Sequence, residues 1–148
     1  TGHESTRDTI RWTNRAAKAG ADCALIVPPH YYKGAMTPSV LRNHYLAVAE
    51  SSRIPILLYN VPQFTGINLS PSLVAELSRH PNIAGIKDST GNIGQLAEIL
   101  RTTPDDFAVF VGSAPVFYPA LCMGAVGGIL AVANVIPDAC VEIQRRFE

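Results

Sequence analysis

The residue that points most directly to chemistry is Lys87, one of only three lysines in the chain. Lys18 ends a polar, helix-like stretch and Lys33 lies in a loop rich in Tyr and Gly, whereas Lys87 ends a short apolar run typical of a buried strand. Burying an ammonium group is unfavourable, so an amine in apolar surroundings readily loses its proton and becomes a nucleophile. The alternative interpretation, a solvated lysine at a strand end, stays open at this point.

Tyr59 ends the strand-like run that precedes the one ending in Lys87. If the two strands are neighbours, they lie about 4.8 Å apart, and the phenol can approach the amine. A nucleophilic lysine attacks a carbonyl carbon, and a nearby phenol can transfer protons while the carbinolamine loses water. Alternation along the strand puts Gly85 and Lys87 on one face and Ile86 and Asp88 on the other. We therefore expect Asp88 not to pair with Lys87, and Gly85 to leave space beneath it.

Five strand-like runs alternate with helix-like runs and must position these side chains. The predicted strands are Cys23–Val27, Ile56–Tyr59, Ile83–Lys87, Ala108–Val111 and Gly128–Val132. The predicted helices are Thr6–Ala19, Ser39–Glu50, Pro71–Arg79, Ile93–Arg101, Pro115–Met123 and Pro137–Phe147. The strands are apolar on both faces, as parallel strands covered by helices must be.

The spacing of these elements, roughly 30 residues per βα unit, allows an open doubly wound sheet or a (β/α)₈ barrel. An open dinucleotide-binding sheet would carry a Gly-x-Gly-x-x-Gly turn after its first strand, but Pro28-Pro29-His30 follows there. Eight such units would total about 240 residues, the usual size of a TIM barrel. We predict an α/β fold in which residues 1–148 form one domain of about five consecutive later βα units. The upstream strands and C-terminal helices would be absent, so exposed sheet edges favour association.

The composition excludes several classes of function. The chain has 12 basic and 12 acidic residues without a basic cluster, so no nucleic-acid partner is expected. No apolar run is long enough to span a membrane, so no membrane partner is expected either. The three cysteines contain no Cys-x-x-Cys pair, which favours a reducing compartment: the cytoplasm, or the mitochondrion if the source is eukaryotic. Cys23 and Cys122 are expected in the core, and His44 and His80 at the surface or at helix caps.

Two longer motifs resemble those of a known family. The run Leu58–Pro62 followed by Thr65-Gly66, and the run Gly85–Asn92, resemble the dihydrodipicolinate synthase / N-acetylneuraminate lyase family. Its members are class I aldolases that form a Schiff base with pyruvate on a (β/α)₈ barrel. The stretches Pro29–Tyr32 and Gly124–Ile129 extend the resemblance over nearly the whole chain.

The resemblance implies a role for each matching residue. Lys87 would form the imine with pyruvate or another 2-oxo acid, and Tyr59 would be the proton shuttle. Tyr32 would relay protons and, in many members, reaches into a neighbouring subunit's site. The implied substrate-binding residues are Thr65, Gly66 and Ile129, of which the first two would shape the loop after Tyr59. The resemblance also implies no cofactor, no metal, a small-molecule 2-oxo acid substrate, and a homodimer or homotetramer.

Two departures from the family pattern bear on the substrate. Many dihydrodipicolinate synthases have Arg at the position of Phe64, where it binds the carboxylate of the aldehyde partner. The family's Gly-rich loop for the pyruvate carboxylate would precede Thr1. The segment Tyr31–Met36, with Thr65-Gly66 after a residue other than Arg, looks more like the 4-hydroxy-2-oxoglutarate aldolase branch. The alternatives are a dihydrodipicolinate synthase that condenses pyruvate with aspartate semialdehyde, and an inactive partial barrel with a binding or structural role.

Overall fold

A five-stranded parallel sheet, in the spatial order β1-β2-β3-β4-β5, organises the chain. The structure is a computed structural model that describes residues 1–148. The strands are β1 (Ala24–Ile26), β2 (Ile56–Asn60), β3 (Ile83–Asp88), β4 (Ala108–Val111) and β5 (Gly127–Gly128). Because every connection between neighbouring strands passes through at least one helix, all five carboxyl ends lie at the same edge of the sheet.

Seven helices accompany the strands. They are α1 (Thr6–Lys18), α2 (Pro38–Ser51), α3 (Pro62–Thr65), α4 (Pro71–Leu77), α5 (Ile93–Thr102), α6 (Phe117–Cys122) and α7 (Pro137–Phe147). Short 3₁₀ turns lie at Lys33–Ala35, Ala114–Val116 and Ala131–Asn134. The hydroxyls of Thr37 and Ser70 accept hydrogen bonds from backbone N–H groups in the first turns of α2 and α4, and a proline follows each. None of the helices has the length and apolar character needed to cross a membrane.

One face of the sheet carries the core. Ile26, Leu58, Ile86 and Val109 are at most 1 % exposed and pack in one cluster with apolar residues of the helices. The alternate side chains point to the opposite face, where Tyr59, Lys87 and Phe110 are only partly buried. The residues expected to do chemistry therefore lie on the less covered face of the sheet.

The end of the sheet differs from the prediction. The fifth strand was expected at Gly128–Val132, but β5 contains only Gly127–Gly128, and a 3₁₀ turn follows at Ala131–Asn134. β4 ends at Val111, which pairs with Gly128, and beyond this pair only the Ile129 N–H still bonds to β4, at the Val111 carbonyl. The four-residue helix α3 was not predicted, because so short a segment shows no helical period.

Three residues lie in other environments than expected. His44 is buried on α2, where its Nδ1 is 2.9 Å from the Thr6 hydroxyl of α1, so its predicted place at the surface is wrong. Cys23 and Cys122 are exposed, and their predicted place in the core is wrong. Ala24 is buried on the helix-covered face of the sheet, so the preceding residue, Cys23, lies on the uncovered face. Cys122 follows the buried Leu121 at the end of α6.

Candidate active site

Tyr59 and Lys87 meet near the carboxyl ends of β2 and β3. The two residues are register partners in the parallel pair, so their side chains leave the same face at the same level. The Lys87 Nζ lies 4.3 Å from the centroid of the Tyr59 ring, a cation–π arrangement. The predicted proximity of the amine and the phenol-bearing ring is confirmed.

Lys87 is less enclosed than the sequence suggested. Its side chain is partly buried, because it lies on the face of the sheet that the helices do not cover. Its amine forms no ion pair with any carboxylate of the chain. The aromatic face of Tyr59 is therefore its defined partner. A substrate carboxylate or keto group can approach the amine without displacing an acidic side chain.

Two glycines set the space around the lysine. A methyl group at Gly112 would lie 2.9 Å from Cε of Lys87 and would overlap the Ser89 hydroxyl, so the absence of a side chain makes room for the lysine. Gly85 acts differently from the expectation. A methyl group there would overlap the carbonyl oxygen of Ala108, so Gly85 permits close approach of β4 rather than leaving free space.

Asn60 and Asp88 follow Tyr59 and Lys87 directly and are also register partners. They point to the opposite face, where they are 0 % and 3 % exposed. The Asn60 Nδ2 donates to Asp88 Oδ2 over 2.9 Å. The prediction that Asp88 would not pair with Lys87 is confirmed. The bond to Asn60 was not predicted, although strand alternation places both residues on one face.

The same pair holds two loops beside the site. Asn60 Oδ1 accepts from the N–H of Leu69 over 3.0 Å, which fixes the segment that follows α3. Asp88 accepts from the Thr90 N–H over 2.9 Å and from the Gln95 side chain over 3.0 Å, which ties the loop after β3 to α5. A buried polar cluster thus underlies the edge that presents the lysine and the tyrosine.

Thr65 and Gly66 shape the turn after β2. The Thr65 hydroxyl is buried, donates to the Val61 carbonyl over 3.2 Å and accepts from the Ile67 N–H over 3.1 Å. Gly66 has a left-handed φ of 68°, and a side chain there would meet the Lys33 amine at 2.8 Å. Both residues lie at the expected loop, and the Thr65 hydroxyl is engaged within it.

Tyr32 lies in the loop that follows β1, at the edge of the sheet where the strands end. It is 71 % exposed, packs edge-to-face on Tyr31 at 4.9 Å, and its hydroxyl forms no hydrogen bond within the chain. The Glu4 carboxylate fixes this loop by accepting from the backbone N–H groups of His30 and Tyr31, at 2.9 and 2.8 Å. The structure therefore presents Tyr32 outward on a fixed loop.

Ile129 lies just beyond β5. Its N–H donates to the Val111 carbonyl over 2.8 Å, and its side chain is 39 % exposed at the edge that carries the other candidates. No three side chains of His, Cys, Asp or Glu converge as metal ligands would. The central candidates remain Lys87 and Tyr59, with Gly112 beside them.

Comparisons with known proteins agree with this architecture. A sequence model of the Dihydrodipicolinate synthetase family matches residues 1–148. The 4-hydroxy-tetrahydrodipicolinate synthase of Archaeoglobus fulgidus is 44% identical over 146 residues, which are 99% of this chain and 50% of that protein. A protein of Emericella nidulans named "Probable 4-hydroxy-2-oxoglutarate aldolase, mitochondrial" is 42% identical over 148 residues, 99% of this chain and 48% of that protein.

Solved structures show the same match. Dihydrodipicolinate synthase from Bacillus anthracis superposes with a TM-score of 0.93 at 34% identity, over 99% of this chain and 50% of that one. A prophage protein of E. coli K12 from the dihydrodipicolinic acid synthase family, solved with pyruvate, gives 0.94 at 32% identity over the same shares. The chain spans about half the length of these relatives, and its five βα units correspond to part of their TIM barrels, as predicted. Since the family match covers every residue, the chain belongs to the dihydrodipicolinate synthetase family.

Proposed function

We propose that the protein is a class I aldolase that cleaves a carbon–carbon bond next to a 2-oxo acid, with 4-hydroxy-2-oxoglutarate as its substrate. The observation that carries the proposal is the Lys87 amine, placed 4.3 Å from the centre of the Tyr59 ring and free of any acidic partner. A Schiff base needs an accessible amine with a proton-transfer group beside it, and this pair supplies both.

The chemistry follows from these two groups. The Lys87 amine attacks the keto carbon, and the carbinolamine oxygen leaves as water after it receives a proton through the Tyr59 phenol. The iminium then accepts the electron pair of the C3–C4 bond as the C4 hydroxyl loses its proton. This step releases an aldehyde and leaves an enamine. Protonation of the enamine at C3 and hydrolysis of the iminium return the lysine and release pyruvate.

The neighbouring residues receive supporting roles in this proposal. Gly112 gives the lysine chain room to swing between free amine and iminium, and Ile129 lines the pocket. Because the Thr65 hydroxyl is already bonded within its turn, Thr65 and Gly66 act by shaping the loop that faces the substrate. The outward position of Tyr32 supports a role across a homo-oligomer interface. Since the relatives are about twice as long, strands outside residues 1–148 would hold the substrate's first carboxylate.

The substrate assignment depends on the position two residues after Pro62. Phe64 is 84 % exposed there and offers no charge at the position where many dihydrodipicolinate synthases have an arginine for the carboxylate of aspartate semialdehyde. This absence of an arginine argues against aspartate semialdehyde, and the Emericella relative carries the corresponding aldolase name. The second candidate is a synthase that condenses pyruvate with aspartate semialdehyde, which is favoured by the name of the Archaeoglobus relative.

Two assays on one preparation separate the candidates. The protein, expressed with any residues encoded on either side of the chain, is given 4-hydroxy-2-oxoglutarate, and pyruvate release is followed. The same preparation is given pyruvate and aspartate semialdehyde, and pyruvate consumption is followed. We expect release in the first assay and its loss in Lys87→Arg, which keeps the charge but cannot form the imine. Faster turnover in the second assay would support the synthase. A folded protein inactive in both would contradict the enzymatic proposal and favour the binding or structural role.

A further inference from the structure

We propose that Asn60 and Asp88 are positioning residues, whose buried hydrogen bond fixes the ends of β2 and β3 so that the Lys87 amine stays over the Tyr59 ring. This inference rests on the proposed function, because it assigns a task within the same reaction. Neither residue touches the substrate side of the sheet.

The sheet register places the two pairs of side chains next to each other. Tyr59 pairs with Lys87, and the next residue of each strand pairs in turn, so Asn60 faces Asp88 on the reverse of the same two strand ends. The 2.9 Å bond between these side chains lies one residue beyond the amine–ring pair. Since side chains one residue apart share a rigid backbone, a bond on one face constrains the geometry on the other.

The buried Asp88 carboxylate is held by neutral groups. Asp88 is 3 % exposed and has no cationic partner. Neutral donors surround it instead: the amides of Asn60 and Gln95, and the N–H and hydroxyl of Thr90. A carboxylate only accepts hydrogen bonds, so each of these donors must point its hydrogen at the Asp88 oxygens, which allows a single arrangement. A fully satisfied buried network of this kind rigidifies its surroundings.

Backbone hydrogen bonds connect the buried pair to the strand segment that contains Lys87. The Ser89 N–H donates to the Asn60 carbonyl over 2.8 Å, and the Gly112 N–H donates to the Asp88 carbonyl over 2.7 Å. The ends of three adjacent strands are thus joined around the Lys87–Asp88 peptide. A displacement of about 1 Å between reacting groups can lower a rate on the order of 100-fold, so positioning of this kind has a measurable effect.

Asp88→Asn tests the proposal. The variant keeps the shape of the side chain but replaces one carboxylate oxygen, which accepts hydrogen bonds, with an NH₂ group that faces the neighbouring donors. We expect kcat to fall on the order of 100-fold with little change in KM. The matched control is Asn82→Ala, in the residue just before β3. The Asn82 side chain bonds the carbonyls of Ala49 and Ser52 at 2.8 and 3.1 Å, far from the lysine end of the strand. This control should lower stability and leave kcat unchanged.

Coupling to the phenol distinguishes positioning from general destabilisation. Tyr59→Phe should lower kcat strongly in the wild-type background and much less in Asp88→Asn, because the phenol is then already misplaced. The exchange Asn60→Asp with Asp88→Asn restores an amide–carboxylate pair and should recover part of the rate. If Asp88→Asn does not fold, Gln95→Met removes one partly buried bond to the same carboxylate and should give a smaller effect of the same kind.

A second readout does not depend on turnover. Reductive methylation followed by peptide mass mapping gives the labelling rate of Lys87 relative to the exposed Lys18. Asp88→Asn should change this ratio and Asn82→Ala should not, even if the protein acts on neither proposed substrate. An unchanged ratio in Asp88→Asn, an equal loss of kcat in both variants, or fully additive effects with Tyr59→Phe would overturn the positioning role. A changed ratio in a protein without aldolase activity would leave it standing and refute only the proposed function.

Discussion

At the scale of single residues, the surroundings of one amine decide what Lys87 can do. Lys87 is partly buried, lies over an aromatic ring and lacks an acidic partner. An ammonium held by a carboxylate would be a structural cation, whereas the Lys87 amine lies over a phenol ring and is bound by no carboxylate. In the proposed function, the contact with Tyr59 is therefore the feature that distinguishes Lys87 from the exposed Lys18.

Tyr59→Phe tests the phenol separately from the ring. The variant keeps the aromatic face beneath the amine and loses only the hydroxyl. If the hydroxyl transfers protons, imine formation with pyruvate should slow about 100-fold or more, with unfolding little affected. Stopped-flow measurement of imine formation gives the rate, and a thermal melt gives the stability. A variant that forms the imine at the wild-type rate would remove Tyr59 from the mechanism.

Gly112→Ala tests the space around the lysine chain. The added methyl group would meet Cε of Lys87 at 2.9 Å and overlap the Ser89 hydroxyl, so the amine should be displaced and imine formation strongly reduced. Gly94→Ala, in the first turn of α5, is the control, since its nearest neighbour would be 3.4 Å away and alanine favours a helix. Equal activity in the two variants would contradict the crowding argument.

At the scale of elements, alternation and helix-start signals predicted most of what the structure shows. The four longer strands and six helices follow from apolar runs, a capping hydroxyl before proline, and glycine stops. Pairing of Tyr59 with Lys87 could be predicted because consecutive parallel strands are usually neighbours. The position at which β5 ends could not be predicted, because it depends on where the neighbouring strand β4 ends. The Asn60–Asp88 bond needed knowledge of the register between two strands, which no single segment contains.

Gly85→Ala tests the close approach of β3 and β4. A methyl group there would overlap the Ala108 carbonyl oxygen, so the two backbones would have to move apart. Overpacking of this kind should lower the free energy of unfolding by about 1–3 kcal/mol. Urea denaturation measures the change, and Gly34→Ala, where a methyl group meets open space, is the control. A Gly85 variant as stable as the Gly34 variant would contradict the close approach of β3 and β4 at this position.

At the scale of the whole molecule, helices cover one face of the sheet and leave the face that carries Tyr59 and Lys87 more exposed. β1 and β5 are the edge strands, and the expectation that such edges favour association stays a prediction. The contact between α1 and α2 contains an unusual group, His44, whose Nε2 is buried without a hydrogen-bond partner. Burial lowers the pKa of His44 to about 4, although nearby Glu4 acts in the opposite direction.

Because His44 is buried without its proton, we expect the protein to be less stable against unfolding in acid. Its pKa is about 4 in the folded chain and near 6.5 when unfolded, so between these values the unfolded state binds a proton that the folded state does not. The free energy of unfolding should therefore fall by roughly 3 kcal/mol as the pH drops from 6.5 to 4. His44→Gln should flatten this dependence in urea titrations at several pH values. His3→Gln, at a half-exposed histidine, should keep the wild-type slope, and an unchanged slope in His44→Gln would refute the assignment.

Trapping the imine tests most directly whether Lys87 is the nucleophile. The protein, with any residues encoded around this chain, is incubated with pyruvate and sodium borohydride, digested, and mapped by mass spectrometry. We expect one reduced pyruvate adduct, on the peptide that contains Lys87, and none in Lys87→Arg. An adduct on Lys18 or Lys33 instead, or no adduct on a folded protein, would contradict it.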